Sequence, residues 1–164
     1  MLAESRPAVA AIALRVRASK SRGFVIAARG SSDHAALYAK YLFGIRNHML
    51  VTLAAPSMFT SYAGAPDLEG QCVIGISQSG SSPDVLAVIE EASRQGLLTI
   101  AVTNDPESRL AQAAELRLLL GAGPEHSVPA SKTYTASLLA LALDRKSTRL
   151  NSSHHTTSRM PSSA

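Results

Sequence analysis

Residues 71–84, QCVIGISQSGSSPD, constrain the fold more than any other segment of the chain. The apolar run from Cys72 to Ile76 predicts a buried strand, and it gives way at once to a loop of small hydroxyl residues. Pro83 stands where a helix would begin, with Ser82 in the N-cap position. Since free backbone N–H groups and the positive end of a helix dipole face such a loop, this arrangement can capture an anion.

The same pattern occurs a second time, closer to the amino terminus. The apolar segment 24–28 predicts a strand, Arg29 and Gly30 end it, and an alanine-rich helical segment follows. Two such junctions in one parallel sheet place two loops at the same carboxyl edge, where open α/β sheets bind ligands. For the loop of residues 77–82 taken alone, a capped turn with solvated serines is the alternative interpretation.

Strand and helix patterns alternate along the chain, which predicts an α/β fold with three layers and a doubly wound parallel sheet. The apolar runs predict five strands, at about 24–28, 49–53, 72–76, 97–103 and 115–120. Helices are predicted at about 6–18, 32–45, 57–63, 83–95, 106–113 and 131–143.

Charge and composition exclude several classes of partner. All 12 acidic residues and all but four of the 16 Lys and Arg residues fall within residues 1–144, so the net charge of +4 belongs to the segment beyond and indicates no nucleic-acid surface. No apolar run approaches the roughly 20 residues of a membrane span. The amino terminus lacks a signal-peptide pattern, and the single cysteine, Cys72, cannot form an internal disulfide, so a cytoplasmic protein is expected.

The predicted fold ends near residue 143. Residues 144–164 are rich in Ser, Thr and Arg and nearly free of apolar side chains, so they cannot bury enough surface to fold. They are similar to read-through of a cloning adapter, and a disordered, non-native tail is the interpretation. Residues 1–143 are therefore predicted to form one domain.

Three segments together carry a family resemblance: ARGSSDHAALYAKYL, ISQSGSSPD and AGPEHSVPASKTYTASL. In order and spacing, over about residues 24–143, they resemble the first sugar isomerase (SIS) domain of the glucosamine-6-phosphate synthase and deaminase group. The resemblance implies a five-stranded parallel sheet flanked by helices, of flavodoxin-like type, that binds phosphosugars.

The resemblance also implies a substrate site built from three loops. The second loop holds the sugar phosphate, the first lines the sugar side, and the third approaches the sugar. The implied residues are Ser77, Gln78, Ser79, Gly80 and Ser82 in the second loop, Gly30, Ser31 and Ser32 in the first, and Val128, Ser131 and Lys132 in the third. The alternative role for the first loop is to cap the following helix through Ser32 or Asp33.

Catalytic candidates are few. Glu125 could act as a general base if burial raised the pKa of its carboxyl group, and an exposed loop acid is the alternative. His34 is a second acid/base candidate, and a structural role is the alternative interpretation. In the resembled group the main catalytic carboxylate and the ring-opening histidine come from a second SIS domain, so this chain is expected to be the first half of such a protein and inactive alone. No metal ion or other cofactor is expected.

The functional hypothesis is a phosphosugar-binding domain of an amino-sugar phosphate isomerase or deaminase, with fructose 6-phosphate or glucosamine 6-phosphate as ligand. Its expected partner is a second SIS domain or a second copy in a homodimer. The alternative is a phosphosugar-sensing regulatory SIS domain of a transcription regulator, but residues 1–22 are too short for a helix-turn-helix. A flavodoxin-like electron carrier would need aromatic residues around the flavin, and the chain has 4% aromatics and no Trp.

Overall fold

The computed structural model describes residues 2–62 and 64–122, with side chains described from Pro7 onward. Strands and helices alternate through these residues, as predicted. The helices are α1 (Leu2–Ala18), α2 (Ser31–Asn47), α3 (Ser57–Thr60), α4 (Pro83–Arg94) and α5 (Arg109–Ala113). The strands are β1 (Gly23–Ala28), β2 (Leu50–Leu53), β3 (Gln71–Ile76), β4 (Thr99–Thr103) and β5 (Leu116–Leu119).

The five strands form one sheet in the order β2-β1-β3-β4-β5, and every neighbouring pair is parallel. Strand β1 lies inside the sheet, so Phe24 pairs with Val51 of β2 on one side and with Cys72 of β3 on the other. Parallel neighbours need crossover connections, and the helices supply them. The prediction of a doubly wound, five-stranded α/β fold is confirmed.

Helices cover both faces of the sheet and produce two separate cores. Alternate residues of a strand point to opposite faces, so Ile26 joins the core beneath α1 and α2 while Ala27 joins the core beneath α4 and α5. All six residues of β1 are buried, as expected for a parallel strand covered on both sides. Cys72 is fully buried in the first core, which agrees with a packing role.

Helix α4 confirms the amphipathic pattern of its sequence. Its buried face carries Val85, Val88, Ile89 and Ala92, spaced at helical intervals. The helix ends at Arg94, and Gly96 follows with φ of +74°, a left-handed conformation that suits glycine after a helix.

The structure corrects the beginning of three helices. Helix α1 begins at Leu2 rather than at about residue 6. Helix α2 begins at Ser31 with Gly30 in the N-cap position and no side-chain cap, so the interpretation of Ser32 or Asp33 as the cap is wrong. The physical reason is a turn at Gly30: the Ser32 and Asp33 amides already donate to the carbonyls of Arg29 and Gly30, at 3.2 and 3.1 Å. Helix α5 begins at Arg109 rather than at 106, because the Ser108 hydroxyl caps it by accepting from the Ala111 amide at 3.3 Å.

Two further findings complete the description. Among residues 2–62 and 64–122, no helix combines the length and apolarity needed to cross a membrane. The predicted helix at 131–143 lies outside the described residues.

Candidate functional site

The carboxyl ends of β1 and β3 lie side by side, because Ala28 pairs with Ile76 at the end of both strands. From there the chain diverges: α2 packs in one core and α4 in the other. In a doubly wound sheet this divergence opens a crevice at the carboxyl edge, and ligands bind there. Two loops border the crevice, residues 29–30 after β1 (the β1 loop) and residues 77–82 after β3 (the β3 loop).

The β3 loop is held by its backbone. The Gln78 carbonyl accepts from the Asn104 amide at 2.9 Å and from the Thr103 hydroxyl at 3.1 Å. The Gly80 carbonyl accepts from the Leu110 amide at 3.2 Å. These bonds fasten the loop to the end of β4 and to α5, so its polar groups are preorganised rather than free to reorient.

Gly80 is required by this anchoring. Its φ of +61° belongs to the left-handed region, and a Cβ atom at this position would overlap the Ser108 side chain. The same Cβ would stand 3.0 Å from the Thr103 hydroxyl oxygen. Glycine is therefore required here for two reasons, a positive φ and a close approach of the backbone.

The serines of the β3 loop differ in exposure. Ser77 is buried at the strand end, whereas Ser79 and Ser81 are exposed and their hydroxyl oxygens lie 2.6 Å apart. Ser82 occupies the N-cap position of α4, as predicted, but its side chain makes no capping hydrogen bond. The Ser82 hydroxyl is therefore not committed to the first turn of the helix, and that turn receives no cap from it.

The β1 loop contributes a second set of small residues. Gly30 has φ of +60°, and no described residue lies within 4 Å of a Cβ built on it, so it is the backbone conformation that favours glycine here. Ser31 and Ser32 are half-buried in the first turn of α2, and His34 is exposed in the same turn. The predicted residues of the first and second loops thus lie at one edge of the sheet, where they follow the neighbouring strands β1 and β3.

An ion pair joins the two loops. Arg29 is the first residue after β1, and Asp84 lies in the first turn of α4. The Arg29 Nε and Asp84 Oδ2 atoms are 3.5 Å apart. Sequence reasoning missed both residues. The available signal was a charged residue directly after a buried strand at Arg29 and an acid just inside a helix at Asp84, but nothing in the sequence pairs them.

A cleft of about 580 Å³ lies at the opposite, amino edge, between the segment before β3 and the end of α4. Arg94 is occupied there by two hydrogen bonds to Glu91, of 2.8 and 2.6 Å. Those bonds, with one from Gln95, lower the pKa of the Glu91 carboxyl to about 2. Asp67 and Glu69 add further negative charge, so this cleft disfavours a phosphate.

The third predicted loop is not part of the described structure. Glu125, Val128, Ser131 and Lys132 lie outside the described residues. Among the residues that are described, no group of three or more His, Cys, Asp and Glu side chains could hold a metal ion.

Comparison with known proteins supplies the family. A model of the SIS domain family matches residues 18–143. The chain is 38% identical, over 117 residues, to glutamine–fructose-6-phosphate aminotransferase [isomerizing] of Bradyrhizobium diazoefficiens. That match covers 71% of this chain and 19% of the aminotransferase, so the chain spans about a fifth of the length of that relative.

Solved structures share the fold. A protein of Silicibacter pomeroyi assigned as a phosphosugar isomerase superimposes with a TM-score of 0.85 and 33% identity, over 90% of this chain and 45% of that one. The NanR protein of Vibrio vulnificus, solved with ManNAc-6P, superimposes with a TM-score of 0.71 and 19% identity, over 87% of this chain and 54% of that one. At 19% identity the second likeness concerns the fold alone.

Proposed function

Because the chain belongs to the SIS domain family, we propose that it binds a phosphosugar in the crevice at the carboxyl edge, with the sugar phosphate at the β3 loop. One observation carries the proposal: the β3 loop is fastened by its carbonyls, while the Ser82 hydroxyl at the beginning of α4 takes no part in capping. A helix beginning without a side-chain cap favours an anion, through its N–H groups and its dipole.

The proposed ligand contacts follow from the donors present. Ser77, Ser79 and Ser82 offer hydroxyl groups. Gln78 offers its side-chain amide, since the bonds that anchor the loop use its backbone carbonyl oxygen. Gly80 keeps the loop backbone close to β4 and α5, which leaves the outer side of the loop for the phosphate. Hydrogen bonds to a charged oxygen are about twice as strong as neutral ones, so few donors suffice.

The sugar itself is proposed to lie toward the β1 loop. Gly30, Ser31 and Ser32 follow β1, the strand next to β3, and their small side chains leave room for a hexose. Val128, Ser131 and Lys132 of the third loop, which follows β5 in the sequence, are proposed as further contacts of the sugar. Fructose 6-phosphate and glucosamine 6-phosphate are the proposed ligands, because the curated relative is named for the first of them.

Catalysis is a further step of the same proposal. Isomerisation of a sugar phosphate needs a base that moves a proton between neighbouring carbons. We propose that Glu125 contributes at most one such group and that a second SIS domain, or a second copy of this chain, supplies the others. The proposed setting is amino-sugar metabolism in the cytoplasm, where a buried thiol such as Cys72 stays reduced.

The regulatory alternative is not favoured. The aminotransferase is 38% identical to this chain, whereas the RpiR transcription factor of Sphaerobacter thermophilus shares the fold of its sugar isomerase domain at 16% identity. The SIS domain of an amino-sugar enzyme is therefore the function that the sequence relationship supports.

The test is a calorimetric titration of the full chain with glucosamine 6-phosphate, fructose 6-phosphate and unphosphorylated glucosamine. Binding of the two phosphorylated sugars without binding of glucosamine is the expected result, because the proposed site recognises the phosphate first. Equal binding of glucosamine, or no binding of any of the three, would contradict the proposal.

A further inference from the structure

The two loops of the candidate site are linked by opposite charges. Arg29 follows β1, Asp84 follows the β3 loop, and the Nε–Oδ2 distance of 3.5 Å spans the crevice between them. The two side chains are 59% and 32% exposed, so water and ligands can reach the pair. Exposed ion pairs of this kind contribute little to stability, so the pair is not needed to hold the fold.

Asp84 creates a conflict at the proposed phosphate position. It lies in the first turn of α4, where a carboxylate interacts favourably with the helix dipole. A phosphate dianion bound at the same helix end would be repelled by that carboxylate. An anion site that keeps an aspartate in this position therefore needs a cation to offset it.

Arg29 is placed to be that cation. Its guanidinium meets the Asp84 carboxylate from the loop that follows the neighbouring strand, β1. The other arginine near this edge, Arg109, is paired instead with Glu90, at 4.0 Å. Among the described residues, Arg29 is the one whose ion pair involves Asp84.

We propose that Arg29 is a specificity-determining residue for phosphate, and that it acts by offsetting the charge of Asp84. This inference rests on the proposed function and names how its site tolerates a dianion. With Arg29 present, the end of α4 is neutral before the ligand arrives, and the phosphate meets the helix dipole without net repulsion. Without Arg29, the negative charge of Asp84 repels the phosphate but has no such effect on an uncharged sugar.

The experiment is a double-mutant cycle on the full chain. The variants are Arg29→Ala, Asp84→Asn and the two combined, each titrated calorimetrically with glucosamine 6-phosphate and with inorganic phosphate. Arg94→Ala is the matched control, because it also removes an arginine from an ion pair, but at the carboxyl end of α4. The Arg94 guanidinium lies 2.6 Å from Glu91 Oε1. Thermal melts of every variant check that the fold is kept.

We expect Arg29→Ala to weaken phosphosugar binding about tenfold at low salt and less at high salt, because the repulsion it unmasks is screened. Asp84→Asn should strengthen binding, since it leaves Arg29 as an uncompensated positive charge. The double variant should bind about as tightly as the wild type, because it removes both charges together and leaves the same net charge beside the phosphate. Arg94→Ala should leave the affinity unchanged.

Three results would overturn the inference. If the wild type binds and Arg29→Ala binds as well as it does, Arg29 has no role in affinity. If the double variant binds as weakly as Arg29→Ala, Arg29 acts without Asp84. If the wild type does not bind glucosamine 6-phosphate, the proposed function fails, and the inference that rests on it fails too; the first two results leave the proposed function intact.

Discussion

Gly75 of β3 lies directly beneath Ile89 of α4: a Cβ atom on the glycine would stand 2.9 Å from Ile89 Cγ1. The same atom would be 3.1 Å from Leu110 Cδ1 of α5 and 3.1 Å from Val85 Cγ1. The absence of a side chain at Gly75 therefore lets both α4 and α5 sit close against the middle of the sheet. Because the β3 loop and α4 follow directly after this strand, the close packing also sets how far the β3 loop, the proposed phosphate site, stands from the middle of the sheet.

Gly75→Ala should consequently destabilise the protein. The added methyl group overpacks a core that has no room for it, which costs about 1–3 kcal/mol in the free energy of unfolding. Urea unfolding followed by circular dichroism measures the change. Gly44→Ala in α2 is the matched control, because a Cβ there would come no closer than 3.9 Å to its nearest neighbour, the Met49 carbonyl oxygen. A Gly75→Ala variant as stable as the control would contradict the packing argument.

The hydroxyls of Ser79 and Ser82 should be needed for phosphosugar binding. Replacing both by alanine removes hydrogen bonds to a charged group, which we expect to weaken binding by about 1–3 kcal/mol. Calorimetric titration with glucosamine 6-phosphate measures it. Ser19→Ala with Ser21→Ala is the control: those two hydroxyls lie 2.8 Å apart before β1, at the opposite edge of the sheet. Unchanged affinity in the first pair would remove the β3 loop from the phosphate site.

Gly80→Ala should damage stability and binding together. Its positive φ alone costs an alanine about 1–2 kcal/mol, and the overlap with Ser108 adds to that by pushing the β3 loop away from α5. Gly96→Ala separates the two effects, because Gly96 has a φ of +74° with nothing within 4 Å of a built Cβ. We expect the Gly80 variant to be the less stable of the two in thermal unfolding and to bind phosphosugar more weakly. Equal stability would show that the Ser108 contact yields easily.

Acid should weaken the contribution of Glu91. Because hydrogen bonds from Arg94 and Gln95 lower its pKa in the folded chain from 4.5 to about 2, its carboxylate stabilises the fold above pH 4.5. That stabilisation is lost as the pH falls from 4.5 toward 2. Glu91→Gln should therefore be less stable than the wild type at pH 7, and the difference should shrink across this window.

Urea unfolding at several pH values measures the Glu91 effect, with Glu90→Gln as a control on the same helix. Within the described part of the chain, the ion pair of Glu90 is with Arg109, at 4.0 Å. A stability difference between Glu91→Gln and the wild type that stays constant from pH 7 to pH 2 would show that the carboxylate is not specifically stabilised.

Most of the fold could be predicted because the three inner strands, β1, β3 and β4, are almost entirely buried. A strand such as β3, covered on both faces, appears in the sequence as an unbroken apolar run, and the Ser/Gly loop after it marks where it ends. Short or capped elements were harder. The turn that delays α5 to Arg109 depends on the Ser108 hydroxyl and on backbone bonds, which hydrophobic periodicity does not reveal.

The site was predictable only in its local parts. The β3 loop is recognisable because all its polar residues are consecutive, from Ser77 to Ser82. The Arg29–Asp84 pair joins residues that are far apart in sequence, and it forms only because β1 and β3 are neighbours while β2 lies outside them. Strand order is a tertiary property, so no local pattern could indicate that contact.

The divergence of α2 and α4 to opposite faces of the sheet has a mechanical consequence. A molecule that bridged the β1 and β3 loops would contact the amino-terminal ends of α2 and α4, which pack in different cores. It would therefore stabilise both helical layers at once. Hydrogen exchange would then slow in α2 and α4 alike when such a molecule bound, although the two helices lie on opposite sides of the sheet. The sheet separates the two helical layers, and the crevice is the place where one small ligand would contact both.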